Sequence, residues 1–389
     1  MRPRHAWHLV TGEYPPQSGG VSDYCEQVAR GLAAAGEEVH VWAPAAPEPP
    51  GATDGVHLHR LPRGFRLSGL HDLAEGLDSC PGPRRLLVQY VAGSFGYHAM
   101  NLPFCLWLYG RRRESLWLMF HEYAYPMGWR LKPSHNLLGL VTPAMSAILA
   151  ARARRIFVST PAWIERIPAL VRTRRPIDWL PIPSNIPTSI GTPVSSPAID
   201  AVTKDPGAVV VGHFGTYGPY IAALLDEVLP PLFAGKPGRK LLLLGRGGPR
   251  YAVGLVARHR GIEGRIAATG ALPAPELAAH IRACDLMLQP YDDGATSRRS
   301  SLMACLALGK PVVTNLGDSS EPIWRDSGAV SIAARPDAGL IVAAAEELIA
   351  SSELRPELGR RAAALYRNTF VIERTLETLR RIASEEDAL

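Results

Sequence analysis

Short apolar runs alternate with amphipathic stretches along the first 160 residues. The run Trp7–Thr11 leads into the loop GEYPPQSGG, and Val21–Ala35 then carries apolar residues at helical spacing until Gly36 ends the pattern. The run Glu38–Trp42 predicts a second strand, and a long helix is predicted near Leu138–Arg154. Further strands are predicted at Arg85–Tyr90, Leu116–His121 and Ile156–Ser159. This alternation is typical of a parallel sheet with helices on both faces.

A segment rich in Pro, Ser and Thr follows this pattern. The stretch PIPSNIPTSIGTPVSSPAIDAVTKDPG has little periodicity, and it predicts an interdomain linker over 187–206. The alternation then restarts, and the segment Leu354–Leu389 predicts a long charged helix. The predicted strands of this half are Ala208–His213, Lys240–Leu244, Ile266–Thr269, Leu286–Gln289 and Pro311–Thr314. The predicted helices are Tyr220–Phe233, Arg250–Arg260, Ala274–Ala283, Ser301–Ala307 and Ala338–Ala350.

These patterns predict an α/β protein with two Rossmann-like, doubly wound domains. The chain of 389 residues exceeds one ordinary core, and its 47% apolar and 20% charged residues are typical of a soluble globular protein. Two such domains place a ligand cleft at the carboxyl ends of their parallel strands. We expect this cleft to face both sheets.

Cysteine usage and hydropathy bear on the compartment. Five scattered cysteines without a C-x-x-C pair disfavour disulfide frameworks and zinc sites. We find no signal-peptide core and no uninterrupted apolar run long enough to span a membrane. We therefore expect a soluble protein of the cytoplasm.

The net charge of +6 comes entirely from the first 199 residues. This basic half suggests an anionic partner, either a phosphate of an acceptor or the anionic inner face of a membrane to which the protein binds peripherally. The alternative is a solvated basic surface without a partner. Nucleic acid is disfavoured, because no nucleic-acid-binding motif accompanies the charge.

Four segments occur in an order that carries a family resemblance. They are YPPQSGGVSDYCEQVARGLAAAGEEVHVWAP, FHEYAYP, PIPSNIP and GALPAPELAAHIRACDLMLQPYDDG, the last followed by LMACLALGKPVVTN and SSEPIW. Together they resemble the GT-B glycosyltransferases, and within them the retaining family 4 (group 1). The stretch around Phe370 resembles the helix that crosses back onto the first domain of this fold.

The resemblance implies domain roles and an activity. It implies an acceptor-side domain at 1–186 with a crossover helix at about 370–389, and a nucleotide-sugar-binding domain at 207–369. The activity is transfer of a sugar from a nucleotide-diphosphate donor to an acceptor hydroxyl, with retention of configuration. The acceptor is a small molecule, a glycan or a lipid-linked molecule. Neither a metal ion nor another cofactor is expected.

In the first domain the resemblance implies a site at a glycine pair and a histidine. Gly19 and Gly20 lie between a strand and a helix, where the backbone can approach a ligand and the helix N-terminus favours an anion. His121 ends an apolar strand and is expected to contact the donor sugar; a structural histidine is the alternative. We take Gly20 and His121 as catalytic candidates, and Glu122 is expected to face away from His121.

In the second domain the loop VGHFGTYGP is expected to bind the donor diphosphate. The family usually has an arginine and a lysine here, but these positions are His213 and Gly218. Gly215 and Thr216 complete the expected donor loop. Leaving-group charge must then be neutralised by other cations. The candidates are Arg246, Arg298 and Arg299; the last two precede a helix N-terminus.

The same half has further candidates for contacts with the donor. Asp293, followed by a glycine, is expected to contact the sugar as a third catalytic candidate. Thr296, Ser297 and Glu321 are expected to line the donor site. Ala304 stands where the family has a ribose-contacting glutamate. This last difference favours a thymidine nucleotide, whose deoxyribose lacks the 2′-hydroxyl.

Two alternatives remain to simple sugar transfer. The missing cation pair and the Ala304 position also fit a pseudo-glycosyltransferase or a sugar phosphorylase of the same fold. A non-catalytic subunit that binds a sugar or a partner enzyme is the third possibility.

Overall fold

The computed structural model describes residues 5–17, 19–47, 55–129, 132–171, 173, 175–189 and 196–388. The chain divides into two compact units. The first unit comprises Met1–Pro181 and Ile372–Leu389, and the second comprises Ile182–Val371. Of the predicted linker 187–206, residues 190–195 lie outside the described residues.

The strands follow the predicted alternation. They are β1 Ala6–Thr11, β2 Val39–Pro44, β3 Val56–Leu61, β4 Arg84–Tyr90, β5 Ser115–Phe120, β6 Arg155–Val158, β7 Ile177–Trp179, β8 Val209–Phe214, β9 Arg239–Leu244, β10 Ile266–Ala268, β11 Leu286–Leu288, β12 Val312–Asn315 and β13 Ser331–Ala333. Each predicted strand lies within a residue or two of an observed one. The runs of apolar residues are buried because both faces of a parallel sheet are covered.

The helices lie between these strands. They are α1 Gly20–Ala34, α2 Leu67–Ser79, α3 Leu102–Gly110, α4 Pro133–Arg152, α5 Ala162–Val171, α6 Pro197–Thr203, α7 Pro219–Phe233, α8 Gly248–Arg258, α9 Ala274–Arg282, α10 Ser300–Ala307, α11 Ile323–Asp326, α12 Ala338–Ala350, α13 Leu354–Thr369 and α14 Ile372–Ala388. The α/β class and the two Rossmann-like sheets that the sequence predicts are confirmed.

Both sheets have the same strand order. In the first unit the order is β3-β2-β1-β4-β5-β6-β7, and in the second it is β10-β9-β8-β11-β12-β13. The strands pair in parallel, with Leu9 opposite Val41 on one side of β1 and opposite Leu87 on the other. In each sheet the order reverses beside the first strand of the unit. Ligands of open α/β sheets bind at the carboxyl ends of the strands at this point.

The structure differs from the sequence prediction in three helical segments. The linker region contains α6, because Ser196 accepts a hydrogen bond from the Ile199 amide as an N-cap and Pro197 opens the helix. The predicted helix Leu138–Arg154 begins earlier, at Pro133. The last segment is two helices rather than one, because α13 ends at Thr369 and α14 begins at Ile372.

Helix α4 is the one described helix that is long and apolar enough to cross a membrane. Polar residues interrupt its apolar run, which is why the sequence indicated no span. It packs against α3, and its buried side includes Thr142 and Ser146. Ser146 Oγ donates to the Tyr123 carbonyl, and Thr142 Oγ1 accepts from the Tyr125 amide. These bonds fasten α4 to the segment after β5.

Candidate functional site

The first half-site lies at the reversal of strand order in the first unit. There β1 is followed by the loop that leads to α1, and β5 is followed directly by His121. Strand β4 lies between β1 and β5, so both segments end at the same edge of the sheet. The loop after β1 lies close to the segment after β4, because a Cβ on Gly12 would lie 2.4 Å from the Ser94 carbonyl oxygen.

The glycine pair at the start of α1 has two different environments. A Cβ on Gly19 would lie 2.7 Å from Glu13 Oε2, whereas a Cβ on Gly20 would meet no atom within 4 Å. Gly20 is the first residue of α1, whose first amides have no partner within the helix. There is therefore room for a ligand group beside the Cα of Gly20, at a helix N-terminus whose partial charge favours an anion.

His121 is held by its neighbours in a fixed orientation. Its Nε2–H donates to Gln89 Oε1 at 2.8 Å, and its ring meets Tyr24 edge-on at 5.1 Å. Its side chain is largely buried at the end of β5. This environment suits a positioned contact residue. The donor-sugar role of His121 stays a prediction.

Glu13 is a residue of this half-site that the sequence did not single out. Burial, and secondarily the negative charge of Glu122, raises the pKa of its carboxyl group. Glu122 is therefore close enough to act electrostatically on the β1 loop. A partly buried carboxyl group with a raised pKa close to a helix N-terminus is a candidate functional group.

The second half-site lies at the carboxyl ends of β8 and β9. A Cβ on Gly245 would lie 2.2 Å from the Gly215 carbonyl oxygen, and one on Gly247 would lie 2.8 Å from the Thr216 carbonyl oxygen. Gly245 also has φ of 111°, which favours glycine. The loop after β9 thus packs directly against Gly215 and Thr216. This contact brings Arg246, which lies between the two glycines, to the expected diphosphate loop.

His213 lies beneath that loop as a neutral residue. Its Nδ1–H donates to the Leu288 carbonyl at 2.7 Å, and a Cβ on Gly215 would lie 3.0 Å from its Nε2. Burial lowers the pKa of His213 to about 4, against the opposing effect of the bond to Leu288. It therefore cannot supply the positive charge that the missing arginine would supply. Among the three cation candidates, Arg246 and Arg298 are exposed.

Asp293 and Arg299 form an ion pair with each other. Arg299 Nη2 donates to Asp293 Oδ1, and the guanidinium also lies 4.6 Å from the centre of the Tyr291 ring. The carboxylate remains partly exposed, at 43% for its side chain. The sequence predicted that Asp293 contacts the donor sugar and that Arg299 contacts the diphosphate. In this structure the two charges neutralise each other. The ligand roles of both residues stay predictions.

Glu321 organises the loop that precedes α10. Its carboxylate accepts from the Ser297 amide at 3.0 Å, from Ser297 Oγ at 2.6 Å and from the Trp324 indole Nε1–H at 2.6 Å. Glu321, Ser297 and Thr296 are all buried. These bonds fix the backbone from Thr296 onward. Glu321 and Ser297 therefore act at least as positioning residues, and their contact with a donor stays a prediction.

Asn315 is a second residue that the sequence did not single out. It ends β12 and holds the segment that carries Asp293, since its Oδ1 accepts from the Tyr291 amide at 2.9 Å and its Nδ2 donates to the Tyr291 carbonyl at 2.7 Å. Its position at a strand end was the signal available in the sequence. Ala304 is fully buried in α10.

Comparison with known proteins agrees with this arrangement. Residues 19–183 match the family model described as a glycosyl transferase 4-like domain. No curated protein sequence matches the chain. The matched range covers the α1 N-terminus and His121.

Solved structures match nearly the whole chain at low sequence identity. Sucrose-phosphate synthase from Thermosynechococcus elongatus has 16% identity and a TM-score of 0.74, over 99% of this chain and 100% of that one. Anabaena HepE in complex with UDP and glucose has 15% identity and a TM-score of 0.67, over 98% and 100%. WaaG, a glycosyltransferase involved in lipopolysaccharide biosynthesis, has 14% identity and a TM-score of 0.62, over 92% and 94%. The chain therefore has the GT-B fold and carries a glycosyl transferase 4-like domain over residues 19–183, which places it among the glycosyltransferase enzymes.

Proposed function

We propose that this glycosyltransferase moves a sugar from a nucleoside diphosphate donor to an acceptor hydroxyl, with retention of configuration and without a metal ion. The observation that carries the proposal is the packing of the β9 loop on the β8 loop through Gly245 and Gly247. This packing presents Arg246 beside Gly215 and Thr216. Backbone amides and a guanidinium are the groups that hold a diphosphate when no metal ion does so.

The leaving diphosphate gains negative charge as the sugar departs. Arg246 supplies a positive charge, and the N-terminus of α7, which begins at Pro219, adds its partial charge. The acceptor hydroxyl attacks the face from which the phosphate leaves, and the phosphate oxygen takes the hydroxyl proton. Such a step needs no protein nucleophile. Gly20 and His121 of the first unit are proposed to contact the sugar.

Calorimetric titration of the full chain with UDP and dTDP, with EDTA present, tests the donor site. We expect one nucleotide to bind with 1:1 stoichiometry, and Arg246→Ala to weaken its binding by roughly tenfold or more, because a charge-assisted bond to phosphate is lost. Arg250→Ala, which removes an exposed charge from the first turn of α8, is the matched control. Equal binding by wild type and Arg246→Ala would remove the basis of the proposal.

The same titration separates the alternatives. Binding of inorganic phosphate and a sugar phosphate, but of no nucleoside diphosphate, indicates a phosphorylase. Nucleotide binding with transfer to an unusual acceptor or donor indicates a pseudo-glycosyltransferase. Binding of none of these ligands indicates a non-catalytic subunit. HepE has been solved with UDP and with UDP-glucose, so the titration includes uridine nucleotides. It also includes the thymidine nucleotide, because the Ala304 position favours a deoxyribose.

Two neighbouring helices of the first unit expose apolar side chains. On α3, Leu102, Leu106 and Tyr109 are exposed at positions i, i+4 and i+7, so they share one helix face. On α4, Leu137 and Leu140 are exposed. We propose that these faces rest on an anionic membrane surface and give access to a lipid-linked acceptor.

Charge near this apolar surface favours an anionic bilayer as its partner. Arg112 and Arg113 lie just beyond the end of α3, and Lys132 precedes α4; all three are exposed. Trp129, exposed at 86%, is an interfacial residue type close to Lys132. Basic side chains at the edge of an apolar face attract anionic headgroups while the apolar side chains insert. Peripheral binding of this kind fits a protein of the cytoplasm, which is the compartment we propose.

Sedimentation with vesicles tests the membrane proposal. We expect the protein to sediment with phosphatidylglycerol-containing vesicles at low salt, and the double variant Leu106→Ser with Leu140→Ser to lose most of this binding. Val253→Ser removes an exposed apolar residue from α8 of the second unit and is the control. Unchanged sedimentation of the double variant would contradict the proposal.

A further inference from the structure

Histidines form a row across three strands of the first sheet. His8 on β1 is opposite His40 on β2, and His40 is opposite His57 on β3. The His8 and His40 rings are stacked with their centres 4.6 Å apart, and His59, two residues after His57, lies 5.2 Å from His40. None of these residues belongs to the half-sites described above. His8 and His40 are both buried.

A cysteine completes this group. Cys80 directly follows α2, and its free thiol Sγ lies 4.0 Å from His40 Nδ1. His8, His40 and Cys80 each offer one ligand atom, and the three atoms all lie within 4.8 Å of one another. Ligand atoms on one tetrahedral zinc ion lie about 3.3 to 3.6 Å apart, given Zn–N near 2.0–2.1 Å and Zn–S near 2.3 Å. Small side-chain movements therefore suffice to bring these atoms to one ion.

The hydrogen bonds of His40 prepare it as a ligand. Its Nε2 lies 3.1 Å from Glu38 Oε1, and a carboxylate can only accept, so the ring proton is on Nε2. Its Nδ1 lone pair therefore points toward the cluster, where His59 Nε2 is 2.9 Å away. A carboxylate that orients a histidine in this way is the usual outer partner of a metal ligand.

His8 contains an unsatisfied polar atom. Its Nδ1 accepts from the Trp42 indole at 3.1 Å, whereas its Nε2 is fully buried and has no hydrogen-bond partner among the described residues. Because Nδ1 accepts this bond, the His8 proton is on Nε2, which is a buried donor without an acceptor. A buried polar atom without a partner is costly and calls for a ligand.

We propose that His40, Cys80 and His8 bind one divalent transition-metal ion, for which Zn²⁺ is the probe, with His59 or water as the fourth ligand. Imidazole nitrogens and a thiolate suit zinc and disfavour Mg²⁺. Binding forms two Zn–N bonds and one Zn–S bond. The Cys80 proton leaves to solvent, and the His8 ring proton moves from Nε2 to Nδ1, which breaks the bond from Trp42. The bond from His59 Nε2–H to His40 Nδ1 also breaks. His59 turns this N–H away when water is the fourth ligand, and it moves the proton to its own Nδ1 when it binds the ion itself.

The ion has a structural role rather than a part in sugar transfer. It joins the end of α2, at Cys80, to the middle of β1 and β2. His8 lies three residues before Thr11, so the site is about 10 Å from the strand ends where the half-site lies. Zinc binds the thiolate form of Cys80 and must displace the thiol proton, so affinity rises with pH.

Cobalt spectroscopy of the full chain, purified without a histidine tag, tests the proposal. We expect one equivalent of Co²⁺ to give the visible bands of a tetrahedral site together with a thiolate charge-transfer band, and Zn²⁺ to displace it. Cys80→Ser should abolish the charge-transfer band, and His40→Gln should weaken binding by roughly tenfold or more. His57→Gln, which alters an exposed histidine stacked on His40 but outside the ligand set, should bind as wild type does.

A second measurement needs no variant. Zn²⁺ should slow the reaction of Cys80 with a thiol reagent and raise the melting temperature at one equivalent, with identification of the labelled peptide by mass spectrometry. Equal labelling of Cys80 with and without Zn²⁺ would overturn the proposal, as would cobalt spectra that persist in Cys80→Ser and His40→Gln. Loss of nucleotide binding in Arg246→Ala is independent of either result.

Discussion

Glu321→Gln is the substitution that most directly tests how the donor loop is held. The wild-type carboxylate accepts from the Ser297 amide, the Ser297 hydroxyl and the Trp324 indole. Glutamine keeps the shape but replaces one acceptor oxygen with an NH₂ group. If its oxygen faces Ser297, its NH₂ group faces the indole N–H of Trp324, so a buried donor is left without an acceptor.

The size of the effect follows from this lost acceptor. A buried donor without an acceptor lowers the free energy of unfolding by about 1–3 kcal/mol, and by more when the lost acceptor was charged. We therefore expect Glu321→Gln to lower it by about 2–3 kcal/mol. For a unit of this size that lowers the melting temperature by about 4–12 °C. Because the loop carrying Ser297 loosens, nucleoside diphosphate binding should weaken as well.

Calorimetric unfolding with a double-mutant cycle measures the effect. Trp324→Phe removes the indole N–H, so the cost of Glu321→Gln should be smaller in that background. Glu347→Gln changes an exposed carboxylate of α12 in the same unit and should leave the melting temperature within about 1 °C. The reasoning is refuted if Glu321→Gln melts as wild type does, or if its cost is the same in both backgrounds.

Three further predictions concern the same half-sites. Gly245→Ala should destabilise the second unit by at least about 2 kcal/mol in denaturant unfolding, because Gly245 has a positive φ and packs on the Gly215 carbonyl. Gly20→Ala should leave stability unchanged, and equal costs of the two substitutions would contradict this. His213 is protonated more readily in the unfolded chain, because burial lowers its pKa in the folded protein to about 4. Its contribution of about 3 kcal/mol to the free energy of unfolding is therefore present above pH 6.5 and is lost as pH falls toward 4. His213→Gln should flatten the pH dependence of the free energy of unfolding, and an unchanged slope would refute this. Asp293→Asn should lower kcat at least tenfold while nucleotide binding is kept or tightened, because Arg299 is released; unchanged kcat would remove Asp293 from the reaction.

The sequence predicted the sheets well because buried parallel strands are continuous apolar runs. It missed β3 because VHLHRL places two histidines and an arginine in a strand whose side chains are only partly buried. It also missed β7 and β13, which are only three residues long. It also gave the last segment as one helix, since the charged pattern continues through Phe370 and only tertiary packing separates α13 from α14. The predicted cleft stays a prediction.

The candidate site was predictable in its positions but less so in its pairings. The glycine pair, His121 and the β8 loop lie at strand ends, as the alternation indicated. The bonds Asp293–Arg299 and Ser297–Glu321 depend on how separate loops meet, which periodicity does not contain. The histidine cluster was overlooked because the search for metal sites looked for paired cysteines.

A crystal structure of the full chain with a nucleoside diphosphate, grown with EDTA, tests the central claim most directly. We expect the diphosphate at the carboxyl ends of β8 and β9, with its oxygens bonded to the amides of Gly215 and Thr216 and to Arg246. Binding that requires an added metal ion, or a diphosphate bound away from these three residues, would contradict the account.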